Sequence, residues 1–524
     1  MQSVQGTDAM ASTKASLPLS KNVFIKWALL GSIGILNGYA TILMYSRGEM
    51  AFALLTVILT ALALFVFGSK KTYAHRYIYP GIAGMILFIL FPLAYTIGLA
   101  FTNYSAKNQL SFDRAQSVLL DRTFQSGQSY PFSLYSTEQG HRIAITSGDQ
   151  LLATEAFDLA ALTPSDMDLM PVDAIDGQKE KIKTIIQNRP VLSELDLHLP
   201  SGEDIRMSGL RKFAAVVALY TLQDDGESLY NNRTQELLRP NMEVGFYQPV
   251  DENGNFVGNT VSPGFIVNIG SDNFERVWQD DGIKEPFISI FIWTVVFSAV
   301  SVALTVFIGL ILASIVQWEA LKGRAIYRVL LILPYAVPAF ISILIFKGLF
   351  NQSFGEVNMV LQGLFGISPS WFSDPILAKT MILIVNTWLG FPYMMILCMG
   401  LLKAIPEDLY EASAIDGSNF VSNFTKITLP LMIKPLTPLL IAAFAFNFNN
   451  FVLIQLLTQG GPNMIGTSEP AGYTDLLVNY TYRIAFEGAG GQDFGLASAI
   501  ATLIFLLVGA LALLNLRVTK VAQD

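Results

Sequence analysis

Long apolar stretches with almost no charge decide what this 524-residue chain can fold into. A bilayer core about 30 Å thick is crossed by roughly 20 apolar residues wound as a helix, and water is a poor solvent for so many. About eight such stretches occur. They lie between Lys26 and Arg47, between Glu49 and Lys70, and over Tyr77 to Phe101, Pro286 to Val316, Val329 to Phe350, Thr380 to Leu402, Pro435 to Leu457 and Phe494 to Leu516. A content of 52% hydrophobic and 14% charged residues agrees with lipid as the main solvent. Lys14, Lys21 and Lys26 precede the first run as in a signal peptide. No small-residue cleavage site follows before the second run, so the first is expected to stay as an anchor.

Basic residues in short loops are retained on the cytoplasmic side of a membrane. With the N-terminus inside, the inner segments carry Lys14, Lys21, Lys26, Lys70, Lys71, Arg76, Lys322, Arg324, Arg328, Lys403, Lys426, Lys434, Arg517 and Lys520. The short outer segments carry Arg47, Lys347, Lys379 and Arg483. Both termini are therefore expected in the cytoplasm. The net charge of -8 is concentrated elsewhere: 27 of the 41 acids but 15 of the 33 bases lie between Tyr104 and Glu285. That segment falls on the outer face and is long enough for an independent domain. His141 to Thr146 and Phe256 to Ile269 read as strands, Gly177 to Gln187 as a helical patch, with turn residues between.

The expected organisation is a disordered cytoplasmic N-terminus over 1–22, three membrane helices over 23–103, a periplasmic domain over 104–285, and five more membrane helices over 286–524 that include a cytoplasmic loop at 403–430. Cys398 is the only cysteine, which rules out an intrachain disulfide, and its apolar surroundings make it a small buried hydrophobe.

The 403–430 loop carries the most specific pattern. Pro406 is a good first helical residue, Glu407 and Asp408 suit the positive end of a helix, and Gly417 supplies a stop. Between them Leu409, Ala412, Ala414 and Ile415 leave a short helix with small and apolar groups among charges. Such a helix needs a partner to bury against. The spacing Glu411-Ala412, four residues, Gly417, nine residues, then Ile427-x-Leu429-Pro430 resembles the EAA signature of ABC importer membrane subunits. Ser413 stands where the signature usually has a second alanine. The resemblance implies that Glu411, Ala412, Ser413 and Gly417 belong to a coupling helix that docks on an ATPase subunit.

Eight spans, a large outer loop after the third, and the stretch from Tyr327 to Leu516 together are similar to the larger membrane subunits of bacterial maltose and maltodextrin importers. The fold so implied is an α-helical polytopic membrane protein with eight transmembrane helices and a large mixed α/β, partly immunoglobulin-like periplasmic loop domain. The partners so implied are a smaller homologous permease, an ATPase homodimer, a periplasmic maltose-binding protein gripped by the outer loop, and maltose or maltodextrin. ATP and magnesium would be used by the ATPase subunits, with no cofactor on this chain.

Polar groups at membrane depth are costly unless they face protein, water or substrate. Three clusters stand out: Pro334-Tyr335-Ala336-Val337-Pro338, Asn386-Thr387-Trp388-Leu389-Gly390-Phe391-Pro392-Tyr393, and Phe446-Asn447-Phe448-Asn449-Asn450-Phe451. Neutral amides can exchange hydrogen bonds with sugar hydroxyls, and aromatic rings can cover pyranose faces. The same amides can equally glue helices together. The family resemblance implies a sugar site at Tyr335, Asn386, Leu389, Gly390, Tyr393, Phe446, Asn447 and Asn450. Ala339 stands where close members carry serine.

No Gly-x-x-x-x-Gly-Lys-Ser/Thr run is present, so ATP hydrolysis belongs to another chain. A proton-coupled carrier would place ionisable groups within its spans, which here are nearly free of them. Sodium coupling through backbone and hydroxyl oxygens stays open on the residues alone. His75, His141 and His198 lack zinc-enzyme spacing, and Asp166, Asp168, Asp173 and Asp176 lack that of a calcium loop, so these acids read as a solvated face. Nothing points to nucleic acid.

Overall fold

The computed structural model describes residues 21–148, 150–159, 166–488 and 491–521. The polar first twenty residues, expected to be disordered, lie outside this set. The chain divides into two units, Met1–Gly98 and Leu99–Asp524. Among the described residues seven helices are long and apolar enough to cross a membrane, and eight if one bent pair counts as a single span.

The first unit is built from α1 (Lys21–Ser46), α2 (Met50–Gly68) and α3, which starts at His75 and runs as one span towards Leu99. Hydrophobic burial offers little drive for association in lipid, so polar contacts between helices matter. Asn37 Nδ2 donates to Thr60 Oγ1 at 2.9 Å, Tyr79 OH to the Leu59 carbonyl at 2.9 Å, and Arg76 Nη2 to the Ser69 carbonyl at 2.8 Å.

In the second unit the inserted domain is β-rich. Nine strands between Thr123 and Ala218 form one sheet and four between Tyr220 and Pro249 another. The long strand Thr123–Thr137 pairs with Gly140–Ser147 on one side and Lys212–Ala218 on the other, both antiparallel. Asp166–Asp168 beside Asp196–His198 is the parallel exception. Leu134, Ile143, Ile145, Leu197, Ile205 and Phe213 make the fully buried centre of the larger sheet. The strand expected at His141 to Thr146 is present. Phe256 to Ile269 is not a strand: it makes isolated bridges at Phe256, Val261, Phe265 and Asn268 while running along other elements. Its Gly258, Pro263, Gly264 and Asn268 interrupt the apolar alternation before a ladder can form. Gly177 to Gln187 divides into a short strand, Gln178–Lys179, and a helix, Ile182–Gln187.

Beyond the inserted domain come α4 (Asp281–Gln317), α5 (Arg324–Ala336), α6 (Ala339–Leu349) and α7 (Pro375–Lys403). They are followed by a short α8 (Asp408–Ile415) and a long α9 that is continuous over Phe420–Phe448. Then come α10 (Phe451–Leu457), α11 (Leu477–Glu487) and α12 (Phe494–Val521). The Asp374 carboxylate caps α7 by accepting from the Ile376 and Leu377 amides at 2.8 and 2.9 Å, with Pro375 as its first residue.

Two spans differ from the sequence expectation. Val329 to Phe350 is not one helix: α5 and α6 meet at 91°. Pro338 removes a backbone donor and pushes Val337 into an extended conformation, φ -83° and ψ 130°, which ends α5. Pro435 to Leu457 is also divided. Its helix starts fifteen residues earlier, at Phe420, and stops at Phe448, and α10 begins afresh after Asn450. Pro435 and Pro438, read as the outset of a span, lie inside α9.

Candidate translocation site and coupling helix

The break between α9 and α10 faces the middle of α7. Asn386, 7% exposed on α7, donates through Nδ2 to Asn447 Oδ1 at 2.7 Å and accepts at Oδ1 from Asn450 Nδ2 at 3.3 Å. Asn447 donates in turn to the Ala443 carbonyl at 2.8 Å. Asn450 also caps α10 by accepting from the Leu453 amide at 3.4 Å. Three amides from two separate stretches of chain thus satisfy one another at a point where a helix is interrupted. Irregular backbone at membrane depth is tolerated where it lines a cavity or lies against protein.

Around this triad the predicted residues divide. Leu389, Gly390 and Tyr393 follow Asn386 at the three-, four- and seven-residue spacing of one helix face. Tyr393 is 43% exposed and Phe446, next to Asn447, 73% exposed, so neither ring is covered by the rest of this chain. Tyr335, 58% exposed, ends α5, which packs on α7. Leu389 packs into the apolar cluster around Trp293, Phe297 and Val385. Gly390 permits a close helix approach: a β-carbon there would lie 2.8 Å from Thr305 Cγ2 on α4. Direct hydrogen bonds connect the three asparagines, whereas Leu389 and Gly390 set the packing behind them.

The short helix α8 stops where Gly417 predicts, but it begins at Asp408, two residues after the expected start at Pro406. Glu407 precedes it, Asp408 and Glu411 lie in its first turn, and Gly417 follows in the left-handed conformation, φ +74°, which glycine adopts without a β-carbon penalty. Glu411, Ala412, Ala414 and Ile415 are exposed, Ile415 by 88%. Ser413 is half-buried, because its hydroxyl hydrogen-bonds to the Asn423 side-chain oxygen.

Sequence reasoning missed a charged cluster beyond α10. Asp475 is fully buried, and its Oδ2 accepts from Arg483 Nη1 and from the Gly472 amide at 2.9 and 2.7 Å. Arg483, 7% exposed, also donates to Asn463 Oδ1 at 2.9 Å and Glu487 Oε2 at 3.1 Å. Burial raises the Asp475 carboxyl to about 6 against the opposing pull of Arg483. The signal was an acid and a base eight residues apart, flanking the otherwise uncharged Leu476 to Tyr482. The acids Asp166, Asp168, Asp173 and Asp176 are all exposed, as expected of a solvated face.

Family comparisons bear on both sites. The family model described as binding-protein-dependent transport system inner membrane component matches residues 305–520. The MalF N-terminal transmembrane region matches 24–71, and the P2 domain of the maltose transport system permease protein MalF matches 110–270. The maltose/maltodextrin transport system permease protein MalF of Vibrio parahaemolyticus serotype O3:K6 is 82% identical over 524 residues, 100% of both chains. The chain belongs to the MalF permease family. The protein of the same name from Escherichia coli K12 is 59% identical over 505 residues, 95% of this chain and 97% of that one. A solved bacterial ABC transporter involved in import of the polysaccharide alginate aligns at TM-score 0.41 and 20% identity, over 48% of this chain and 84% of that one. Family membership makes the chain a multi-pass membrane transport component, with the break at Asn447 and helix α8 both inside the matched transport region.

Proposed function

We infer that this chain is the membrane-spanning subunit of a binding-protein-dependent, ATP-driven importer of maltose and maltodextrins, and that it forms half of the translocation pathway. The observation that carries the sugar pathway is the triad Asn386, Asn447 and Asn450 at the α9–α10 break. Uncharged amides suit a neutral polyhydroxylated solute, since each offers both donors and an acceptor without the desolvation of an ion. The rings of Tyr335, Tyr393 and Phe446 would cover its apolar faces.

The chain lends no catalytic group to ATP hydrolysis. In this reading the exposed face of α8, with Glu411, Ala412 and Ile415, docks on one subunit of an ATPase homodimer that uses ATP and magnesium. A smaller homologous permease completes the pathway, and a periplasmic maltose-binding protein delivers the sugar to the inserted domain. Both termini lie in the cytoplasm, consistent with the bias of basic residues. ATP binding closes the ATPases, α8 moves with them, and the spans pass from inward-open to outward-open.

Maltose uptake into proteoliposomes containing the whole complex tests this reading against ion coupling. Uptake should require ATP on the ATPase side together with the binding protein, and should survive a sodium or proton ionophore. Uptake that collapses with the ionophore and ignores ATP would contradict it.

A further inference from the structure

The corner between α8 and α9 contains two side-chain bonds that the coupling pattern does not explain. Tyr410 and Ser413, three residues apart, share a face of α8. Tyr410 OH lies 2.8 Å from Thr428 Oγ1, and the Ser413 hydroxyl donates to Asn423 Oδ1. Thr428 is 5% exposed, and its Oγ1 lies 3.4 Å from the Asn423 carbonyl, so it can accept from Tyr410 and donate onward.

Asn423 and Thr428 are five residues apart, a spacing that a regular α-helix turns about 140° out of line. Between them Phe424–Thr428 is a π-helical turn, in which the Leu429 amide donates to the Phe424 carbonyl. The i to i+5 closure of such a turn suits the five-residue spacing, and π turns inside α-helices recur at functional positions. The irregular turn therefore brings both acceptors within reach of α8.

We propose that Tyr410, Asn423 and Thr428, with Ser413, form a two-point brace that makes α8 and α9 one lever. The lever transmits movement of the docked helix to Asn447 and so to the sugar triad. Helix α9 runs continuously from the brace to Phe448, which places Asn447 twenty-four residues, about 36 Å, beyond Asn423. At that far end Asn447 holds Asn386, so a tilt of α9 acts on the triad directly. A cavity of about 850 Å³, lined by Trp318, Leu402, Phe420 and Phe424 together with Tyr410, Asn423 and Thr428, separates this corner from the end of α4. Tyr410, Ser413, Asn423 and Thr428 are positioning residues, and the proposal rests on the reading of α8 as the helix that docks on the ATPase.

The measurement is ATP hydrolysed per maltose imported by the reconstituted complex. Tyr410→Phe together with Asn423→Ala should raise that ratio at least fivefold, and Thr428→Ser, which keeps the hydroxyl that Tyr410 meets, should leave it near the native value. An unchanged ratio in the double variant, or a Thr428→Ser ratio as high as the double variant's, overturns the proposal. A second arm applies even where the double variant does not assemble. Ser413→Cys with Asn423→Cys, once oxidised to a bridge, should import maltose at least as well as its own reduced form, because the brace stays closed through the cycle. Loss of uptake on bridging that reducing agent restores shows that the contact must open, and the proposal falls. Gly417→Pro separates the two levels: if it leaves transport intact, the docking assignment of α8 is wrong, whereas an uncoupled Gly417→Pro beside a native double variant removes only the brace.

Discussion

The inserted domain and the membrane half of the second unit are built on opposite plans. Leu134, Ile143, Leu197 and Phe213 fill the centre of the inserted domain, and its ion pair between Arg206 and Asp196 lies at the surface. In the membrane half many large apolar side chains, such as Phe307 and Leu344, are exposed, while Asn386, Thr294 and Ser298 are buried within the spans and the Asp475–Arg483 pair is buried outside them, beyond α10. Water rewards the first plan through apolar burial. Lipid removes that reward and penalises any polar group left unsatisfied, so hydrogen bonds and ion pairs become the specific contacts inside.

The widest gap should appear between the two ion pairs. Arg483→Met leaves a buried carboxylate without its partner and should cost about 3–5 kcal/mol in thermal unfolding of the purified complex. Arg206→Met should cost under about 1 kcal/mol, because its pair is solvated. Acidity sharpens the contrast. Asp475 has a folded pKa of about 6, above its unfolded value, so the folded state holds the extra proton between the two and stability falls as pH rises through that window. Without Arg483 that dependence should steepen, making Arg483→Met more stable at pH 5 than at pH 7.5.

Core truncations give the next largest difference. Leu197→Ala, fully buried in the inserted domain, should cost about 2–5 kcal/mol. Phe307→Ala, 63% exposed on α4, should stay within about 0.5 kcal/mol in the same assay. An equal loss at both sites would remove the distinction between the two plans.

The smallest effect belongs to the surface of the inserted domain. His198 bonds to Asp204 through Nδ1 at 2.6 Å, which raises the imidazole above its ordinary value. Its contribution is fully present below the unfolded pKa near 6.5 and lost as pH rises through the raised folded value. His198→Asn should therefore lower the melting temperature slightly at pH 6 and leave it unchanged at pH 8.5.

The same contrast explains what could be read from the sequence. Apolar runs at Glu49 to Lys70 and Thr380 to Leu402 report their spans directly, because lipid tolerates few other solutions. The motif around Glu411 to Gly417 shows a helix with an exposed apolar face, and α8 ends where Gly417 predicts. Breaks were harder to place. Pro338 bends one apolar run by 91°, yet Pro435 and Pro438 sit within a continuous helix, so proline alone does not say which outcome packing selects. In the inserted domain Phe256 to Ile269 has apolar residues in strand-like alternation, but Gly258, Pro263, Gly264 and Asn268 interrupt it and only isolated bridges form. The triad was legible as three polar clusters, whereas the bonds joining Asn386 to Asn447 and Asn450 depend on tertiary approach across sixty residues of sequence.

The most direct test of the sugar pathway is Asn447→Ala in the reconstituted complex, with maltose uptake and binding-protein-stimulated ATP hydrolysis measured together. The triad predicts uptake reduced about tenfold or more, about 1.4 kcal/mol at the transport barrier, while hydrolysis still responds to the binding protein. Native uptake by the variant would mean that the three amides hold helices together without touching the sugar.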